Sequence, residues 1–199
     1  MSSVTVIRDS SGPAWTNAFS IRFVSASLII VASANKTGAA LGIPALTAAY
    51  AVLKDGALDG ALDGALNGVL DGAGVLVHGG GGTVARLAVQ IAVGAGDHVI
   101  TTTGRSDQHD ALKALGAAAV LDYRNPDLAA HVVTGSHGNT IQHIVDAEIG
   151  NIHATSINVL DTIGMHVGYG STLTPMPKLP FLIMYLSKIP LTGILMRLC

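Results

Sequence analysis

The chain has 199 residues, of which 49% are hydrophobic and only 12% are charged, and its formal net charge is −2. Its length favours a single domain, and the charge excludes the electrostatic basis of nucleic-acid binding because no basic cluster is present. The single cysteine, Cys199, excludes an internal disulfide and a cysteine-based zinc site, and the apolar excess points to a dimer interface or a companion domain.

The first 37 residues are expected to hold an irregular segment followed by strands. Residues 1–15 are polar and predict irregular structure, whereas residues 19–34 are apolar. One or two β-strands, a cleaved signal peptide and a membrane span are the three alternatives for the apolar stretch. We favour strands because the stretch is rich in Val, Ile and Phe, while Asp9 argues against a signal peptide and Arg22 against a span.

Residues 44–53 begin with proline and are rich in alanine, a combination that predicts a helix. A tandem repeat of four Leu-Asp-Gly or Leu-Asn-Gly units follows at residues 57–72. A helix would place the leucines on one drifting face, but each glycine costs about 1 kcal/mol relative to alanine. The nonapeptide pattern of calcium-binding repeats is also absent. We therefore interpret the repeat as an expanded surface connection.

A strand, a glycine-rich turn and a helix are predicted at residues 75–93. Within the turn, residues 80–85 fit the pattern G-x-G-x-x-G/A, with Ala85 in the third position. In dinucleotide-binding sites the first glycine allows the turn, the second lets the backbone approach a pyrophosphate, and a small third residue lets helix and strand pack closely. The pattern predicts bound phosphates at the helix N-terminus near Thr83. The alternative is a glycine-rich turn without a ligand.

Strands and helices alternate through the rest of the chain. Strands are predicted at residues 98–103, 119–121, 141–145 and 165–169, helices at residues 107–115 and 152–160, and a sixth strand at residues 191–198. This alternation predicts an α/β fold with a doubly wound parallel sheet. Because Lys188 and Pro190 break the apolar tail, we expect no membrane span. The eight histidines have no metal-ligand spacing and are expected at the surface or at strand edges.

Five segments of the sequence, taken in order, resemble one known family. They are residues 41–50, 75–92, 98–104, 112–127 and 143–150. Together they resemble the cofactor-binding half of the medium-chain dehydrogenase/reductase superfamily, and within it the zinc-free NADPH:quinone oxidoreductases of the zeta-crystallin-like group. The resemblance implies a Rossmann domain at residues 38–199. It also implies that residues 1–37 keep only remnant strands of the family's GroES-like catalytic domain, most of which is absent.

The function that this resemblance implies is hydride transfer from NADPH to a quinone or another electron-poor alkene or carbonyl. The family likeness further implies a zinc-independent, cytoplasmic homodimer with a small-molecule acceptor. No residue is identified as a catalytic acid or base. The alternative is a truncated relative that binds a dinucleotide without catalysing a reaction.

The resemblance also implies which residues hold the cofactor. Thr47 would lie near the nicotinamide, and Tyr123 on the adenine side. Helix-interior bonding is the alternative for Thr47, and strand-end packing is the alternative for Tyr123 and Tyr169. The remaining candidates are Gly80, Gly82, Thr83 and Val84 at the pyrophosphate, Thr103, Gly104, Arg105 and Ser106 at the adenosine ribose, and Gly168, Tyr169 and Gly170 beside the nicotinamide.

The residues after the second Rossmann strand predict a preference for NADPH. A site that prefers NAD places an Asp or Glu about twenty residues beyond the glycines, where it bonds to the ribose 2′-hydroxyl. Here no carboxylate precedes Asp107 in this region. A guanidinium can bind a 2′-phosphate through paired hydrogen bonds, so Arg105, aided by Ser106 and with His109 as a further candidate, favours NADPH. The alternative is a solvated arginine at a loop tip.

Overall fold

A computed structural model describes residues 5–7, 20–24, 27–31, 43–53, 73–172 and 191–193. These residues form a three-stranded sheet, a six-stranded sheet and five α-helices. The tandem repeat at residues 57–72 lies outside the described residues, as do residues 194–198 of the predicted sixth strand.

The three-stranded sheet is built from the N-terminal part of the chain. Strands β2 (Ser20–Val24) and β3 (Ser27–Val31) pair antiparallel, which confirms the prediction of strands in this apolar stretch. Strand β1 (Thr5–Ile7) pairs parallel with β3. The prediction of irregular structure through residue 15 is therefore wrong at these three positions. All three residues are β-branched, and such residues favour strands when a partner strand is present.

The six-stranded sheet is parallel throughout. Its strands lie in the order β6-β5-β4-β7-β8-β9, so the chain reverses its direction of winding between β4 and β7. This is the doubly wound Rossmann order, and the predicted fold class is confirmed. The strands are β4 (Gly74–Val77), β5 (His98–Thr102), β6 (Ala119–Leu121), β7 (Ile141–Asp146), β8 (Leu160–Gly168) and β9 (Leu191–Gly193).

Two helices cover one face of this sheet. Helix α1 (Ile43–Leu53) and helix α2 (Thr83–Gly94) begin at or next to their predicted starts and pack against each other. Their shared cluster is made largely of alanines, which let two helix backbones approach closely. Val75 and Val77 of β4 belong to the same cluster, so this helix pair lies on the sheet.

The opposite face of the sheet is covered by two later helices. Along β4 the side chains alternate, so Leu76 joins Ile100 and Ile144 in a second buried cluster. Helix α4 (Leu128–Gly135) contributes to that cluster, and helix α5 (Ile149–Val159) packs against it. Because both faces are covered, β4 is fully buried along its length.

The predicted element boundaries differ from the structure in the second half of the chain. Helix α4 was not predicted, because eight residues directly after a proline turn are too few for a clear helical period. Helix α5 begins at Ile149 rather than at residue 152, and β8 begins at Leu160 rather than at residue 165. Asp161 interrupts the apolar pattern at the start of β8. The helix predicted at residues 107–115 is confirmed as α3 (His109–Ala114), which a 3₁₀ turn (Ser106–Gln108) precedes.

Candidate functional site

The glycine turn joins β4 to α2 at the point where the sheet reverses its winding. Gly79 has a φ of +75°, which favours glycine. The N–H of Gly82 donates to the Gly79 oxygen at 2.8 Å, and the N–H of Gly80 donates to the Thr102 oxygen at 2.7 Å. The turn is therefore closed on itself and tied to the carboxyl end of β5, where ligands bind in sheets of this kind.

Steric contacts explain why the first motif position needs glycine. A Cβ atom at Gly80 would overlap the Thr101 hydroxyl, whereas one at Gly81 would meet only the end of the flexible Gln108 side chain. Ala85 is fully buried in the cluster between α1, α2 and the sheet, so the third motif position does require a small side chain. The structure therefore confirms the strand, turn and helix that the motif predicts.

The start of helix α2 presents backbone N–H groups that have no partner within the helix. Gly82 is the N-cap residue, and no side chain caps the helix there. The first intrahelical bond of this turn is donated by Arg86 to the Gly82 oxygen at 3.0 Å. The N–H groups of the first turn, among them those of Thr83 and Val84, point out of the helix, and its positive end attracts anions. These residues fit the pyrophosphate of a dinucleotide.

The turn after β5 brings several of the predicted adenosine residues together. The Thr103 hydroxyl donates to the Gln108 amide oxygen at 3.2 Å and accepts from the Arg105 N–H at 3.2 Å. A Cβ at Gly104 would lie 2.8 Å from Cε1 of Tyr123, so the tyrosine ring rests directly on this glycine. Ser106 begins the 3₁₀ turn that follows.

Arg105 is paired with a neighbouring carboxylate. Its Nε and Nη2 donate to the two oxygens of Asp107 at 3.2 Å and 2.7 Å. The hydrogen bond to Asp107 raises the pKa of Arg105, and the same bond lowers the pKa of Asp107. The Arg105 side chain is 67% exposed. Arg105 is therefore a solvent-exposed arginine paired with a neighbouring carboxylate, and its contact with a 2′-phosphate stays a prediction.

Arg124 also reaches this turn, although the sequence did not single it out. Its Nη2 donates to the Gly104 oxygen at 2.8 Å and to Oδ2 of Asp122 at 2.7 Å. The hydrogen bond from Arg124 holds the pKa of Asp122 at about 2, and the nearby His109 adds to this lowering. A single sequence does not indicate this contact, because Arg124 lies 20 residues beyond Gly104 in the chain.

The predicted nicotinamide end is formed by tightly packed backbone. The turn of residues 168–170 follows β8, where the Tyr169 N–H donates to the Asp146 oxygen at 3.0 Å and the Gly170 oxygen accepts from the Ile149 N–H at 3.1 Å. A Cβ at Gly168 would lie 2.9 Å from Cδ1 of Ile149, and one at Gly170 would overlap the Ala147 oxygen. Thr47 is buried in α1, and its hydroxyl donates to the Ile43 oxygen at 2.8 Å. This is the helix-interior bond that was the alternative interpretation of Thr47.

A fully buried histidine lies under the glycine turn. The ring nitrogens of His78 are 3.1 Å from the hydroxyl oxygens of Thr102 and Ser156. Burial lowers the pKa of His78 to about 4, although the charge of Asp146 opposes this shift. The imidazole is therefore neutral near neutral pH, with one nitrogen donating and the other accepting.

Asp146 and His166 form a second buried contact at the ends of β7 and β8. Oδ2 of Asp146 is 3.1 Å from Nε2 of His166, and Oδ1 accepts from the Glu148 N–H at 2.9 Å. Burial favours a higher pKa for Asp146, but the hydrogen bond from His166 and the nearby His78 hold it below its usual value. Burial, together with the Asp146 charge, raises the pKa of Tyr169. We call His78, Asp146 and His166 the buried polar cluster.

The expected position of the histidines at the surface or at strand edges is wrong for three of them. His78, His143 and His166 are buried, because each lies on an inner strand or turn and finds a hydrogen-bond partner there. For His143 this partner is the Ala51 oxygen of α1, at 2.6 Å. Within the described ranges, no group of three or more His, Cys, Asp or Glu residues is arranged to hold a metal ion. No helix in the same ranges is long and apolar enough to cross a membrane.

The fold and the glycine turn at its switch point define a dinucleotide-binding Rossmann domain. The chain belongs to the zinc-binding dehydrogenase family, whose sequence profile matches residues 83–198. This confirms the expected place in the medium-chain dehydrogenase/reductase superfamily, whose members are NAD(P)-dependent oxidoreductases. The assignment to its zinc-free quinone reductases stays a prediction.

Curated relatives match parts of the chain. It is 41% identical over 69 residues to the dehydrogenase pigH of Monascus ruber, a match that covers 35% of this chain and 18% of that protein. It is 32% identical over 102 residues to the dual trans-enoyl reductase/FAD-dependent monooxygenase tazHJ of Aspergillus terreus, over 51% of this chain and 14% of that protein. The chain thus spans less than a fifth of the length of either relative.

Solved structures share the fold over most of the chain. A mycobacterial protein solved as a complex with NADPH has a TM-score of 0.66 and 27% identity, over 78% of this chain and 46% of that one. A quinone oxidoreductase of Pseudomonas syringae pv. Tomato DC3000 has a TM-score of 0.66 and 25% identity, over 83% and 49%. A putative enoyl reductase domain of a polyketide synthase, at 22% identity and a TM-score of 0.61 over 77% and 78%, supports the fold alone.

Proposed function

We propose that the chain is the cofactor-binding part of an NADPH-dependent oxidoreductase that reduces a quinone or another electron-poor alkene or carbonyl. The observation that carries this proposal is the closed glycine turn at the switch point of the sheet, directly before the uncapped start of α2. Relatives whose names refer to quinone oxidoreductases and enoyl reductases support the type of acceptor. The neighbour in complex with NADPH supports the cofactor.

In this proposal each end of the site has a distinct task. The backbone donors at the start of α2 bind the pyrophosphate, and the turn after β5 binds the adenosine ribose. The turn at residues 168–170 lies beside the nicotinamide, and its glycines pack against Ile149 and Ala147 with no space for side chains of their own. When bound, the dihydronicotinamide supplies the hydride. We assign no residue as general acid or base.

Two measurements on the folded chain test the proposal. Both NADPH and NADH should raise the melting temperature, since a ligand that binds only the folded state stabilises it. Steady-state oxidation of NADPH with a simple benzoquinone then tests catalysis. Stabilisation without turnover would favour the second candidate, a dinucleotide-binding relative that does not catalyse a reaction. If the cofactors do not stabilise the chain and no turnover is measured, the proposal is overturned.

Arg105→Ala should weaken NADPH binding about tenfold and change NADH binding little, because a charged hydrogen bond to the 2′-phosphate is lost. Asp107 occupies only the Nε and one Nη2 donor of Arg105, so three N–H groups can reach a phosphate. Titration of both cofactors against both proteins measures the effect. Lys113→Ala, which removes an exposed positive charge on α3, is the matched control. Equal losses for the two cofactors would show that Arg105 does not contact the phosphate.

We also propose that two copies of the chain pair through the tail strand. Among the described strands, β9 is the last of the six-stranded sheet, and edge strands pair readily with another chain. Sedimentation should therefore give a dimer, and a clean monomer at micromolar concentration would contradict it. The domain boundary after residue 37 and the cytoplasmic location stay predictions.

A further inference from the structure

The imidazole of His78 connects three parts of the domain directly before the glycine turn. Its Nδ1 lies 3.1 Å from the Thr102 hydroxyl oxygen at the end of β5, and its Nε2 lies 3.1 Å from the Ser156 hydroxyl oxygen in α5. Its backbone N–H donates to the Val145 oxygen of β7 at 2.8 Å. All three side chains of this contact, His78, Thr102 and Ser156, are 0% exposed. Solvent therefore cannot take the place of the ring in these bonds.

Thr102 holds the first two N–H groups of the glycine turn. Its hydroxyl accepts from the Gly79 N–H at 3.3 Å, and its backbone oxygen accepts from the Gly80 N–H at 2.7 Å. Gly79 has a φ of +75°, and its own oxygen accepts from the Gly82 N–H at 2.8 Å. One residue at the end of β5 thus fixes the start of the turn, and the residues that lead into α2 follow from it.

The hydrogen-bond partners of Thr102 assign the protons of the His78 ring. A threonine hydroxyl has one proton to donate and two lone pairs that accept. Among the described residues this hydroxyl contacts only the Gly79 N–H, which can only donate, and Nδ1 of His78. The hydroxyl therefore donates to Nδ1, and the ring proton lies on Nε2, which donates to Ser156. A hydroxyl that donates in such a chain is also the stronger acceptor.

We infer that His78 positions the glycine turn for the cofactor pyrophosphate and that it acts through the Thr102 hydroxyl. The inference rests on the proposed function, which places the pyrophosphate at this turn and at the start of α2. His78 is a positioning residue, because its ring is buried and orients the oxygen that holds Gly79. A turn that is held in place before binding does not have to be ordered by the cofactor, so a looser turn gives a weaker apparent affinity.

Calorimetric titration of the chain with NADPH and with NADH tests the role of His78. His78→Leu should weaken both cofactors by the same factor, about fivefold, because one neutral hydrogen bond is lost and the two cofactors share the pyrophosphate. His78→Gln should recover most of the affinity, since its amide oxygen can accept the Thr102 proton. His143→Leu is the matched control: this buried histidine bonds to the Ala51 oxygen of α1, so its loss should lower stability and leave both affinities unchanged.

A double variant tests whether His78 acts through Thr102. Thr102→Val keeps the shape of the side chain without the hydroxyl and should also weaken both cofactors about fivefold. Adding His78→Leu should cost no further affinity, because the bond between the two residues is already lost. Losses that multiply to about 25-fold would show independent effects and overturn the inference. Unchanged affinity in His78→Leu would overturn it too, since His78 would then serve the fold alone.

Nitrogen-15 NMR of the wild-type ring needs no variant and should place the proton on Nε2; a proton on Nδ1 would contradict the assigned order of hydrogen bonds. If the wild-type chain binds neither NADPH nor NADH, the proposed function fails and the inference fails with it. Cofactor binding that is insensitive to His78 overturns the inference and leaves the proposed function intact. Near-ultraviolet circular dichroism of each variant verifies that the folded state is being measured.

Discussion

Replacing Asp146 with alanine is expected to lower the free energy of unfolding by about 3–5 kcal/mol. The substitution removes the carboxylate that pairs with His166 and leaves the His166 ring buried without that partner. Asp146 and His166 are 0% and 2% exposed, so no solvent can replace the lost carboxylate. The Glu148 N–H also loses its acceptor at the start of α5. A bond from β7 to β8 and a bond from β7 to the following helix are thus lost in one substitution.

Urea unfolding, followed by circular dichroism, measures this loss. Asp146→Asn is the matched control, since the amide keeps the size of the side chain and an oxygen that can accept from the Glu148 N–H. We expect its cost to be clearly smaller than that of alanine. An alanine variant as stable as the wild type would contradict the prediction, and would mean that water reaches His166 after the substitution.

The Rossmann core was predictable because several local signals agree there. Val75, Leu76 and Val77 are consecutive large aliphatic residues, and such runs are typical of a strand covered on both faces. The glycines end that strand, and the apolar period of α2 begins directly after them. Once one strand, turn and helix are placed, the continuing alternation of strands and helices predicts that the later strands are parallel.

Elements with weaker local signals were missed or misplaced. Strand β1 is three residues long and depends on its pairing with β3, which the local sequence cannot reveal. Helix α4 has eight residues, too few for a convincing apolar period. Strand β8 begins directly where α5 ends, so no loop residues mark the boundary. Tertiary contacts, rather than local propensity, determine these three elements.

The candidate site was predictable at its glycines and not at its buried polar groups. Gly80 was identified by the glycine motif and Gly104 by the family resemblance, and the structure places neighbouring side chains against both. His78 was predicted at the surface or at a strand edge, but it is buried, and its two partners lie 24 and 78 residues further along the chain. A single sequence contains no signal for contacts at that separation. Arg124 was missed for the same reason.

Acidification from pH 6.5 to about pH 4 is expected to lower the free energy of unfolding by about 3 kcal/mol through His78. Burial of the imidazole lowers its pKa in the folded chain to about 4, against an ordinary value of 6.5. Between these values the unfolded chain carries the proton and the folded chain does not. A lower pH therefore favours unfolding over this interval, and the contribution of His78 levels off below it. Asp146, whose pKa is lowered, contributes its own loss only at still lower pH.

Urea unfolding across this pH interval, compared between the wild type and His78→Gln, tests the role of the buried ring. The amide of glutamine can bond to the Thr102 and Ser156 hydroxyls but does not titrate, so the variant should be less stable near neutral pH and show a flatter dependence on acid. His131→Gln removes an exposed histidine of α4 and should keep the wild-type slope. A variant at His78 that loses stability as steeply as the wild type would show that another group controls the acid response.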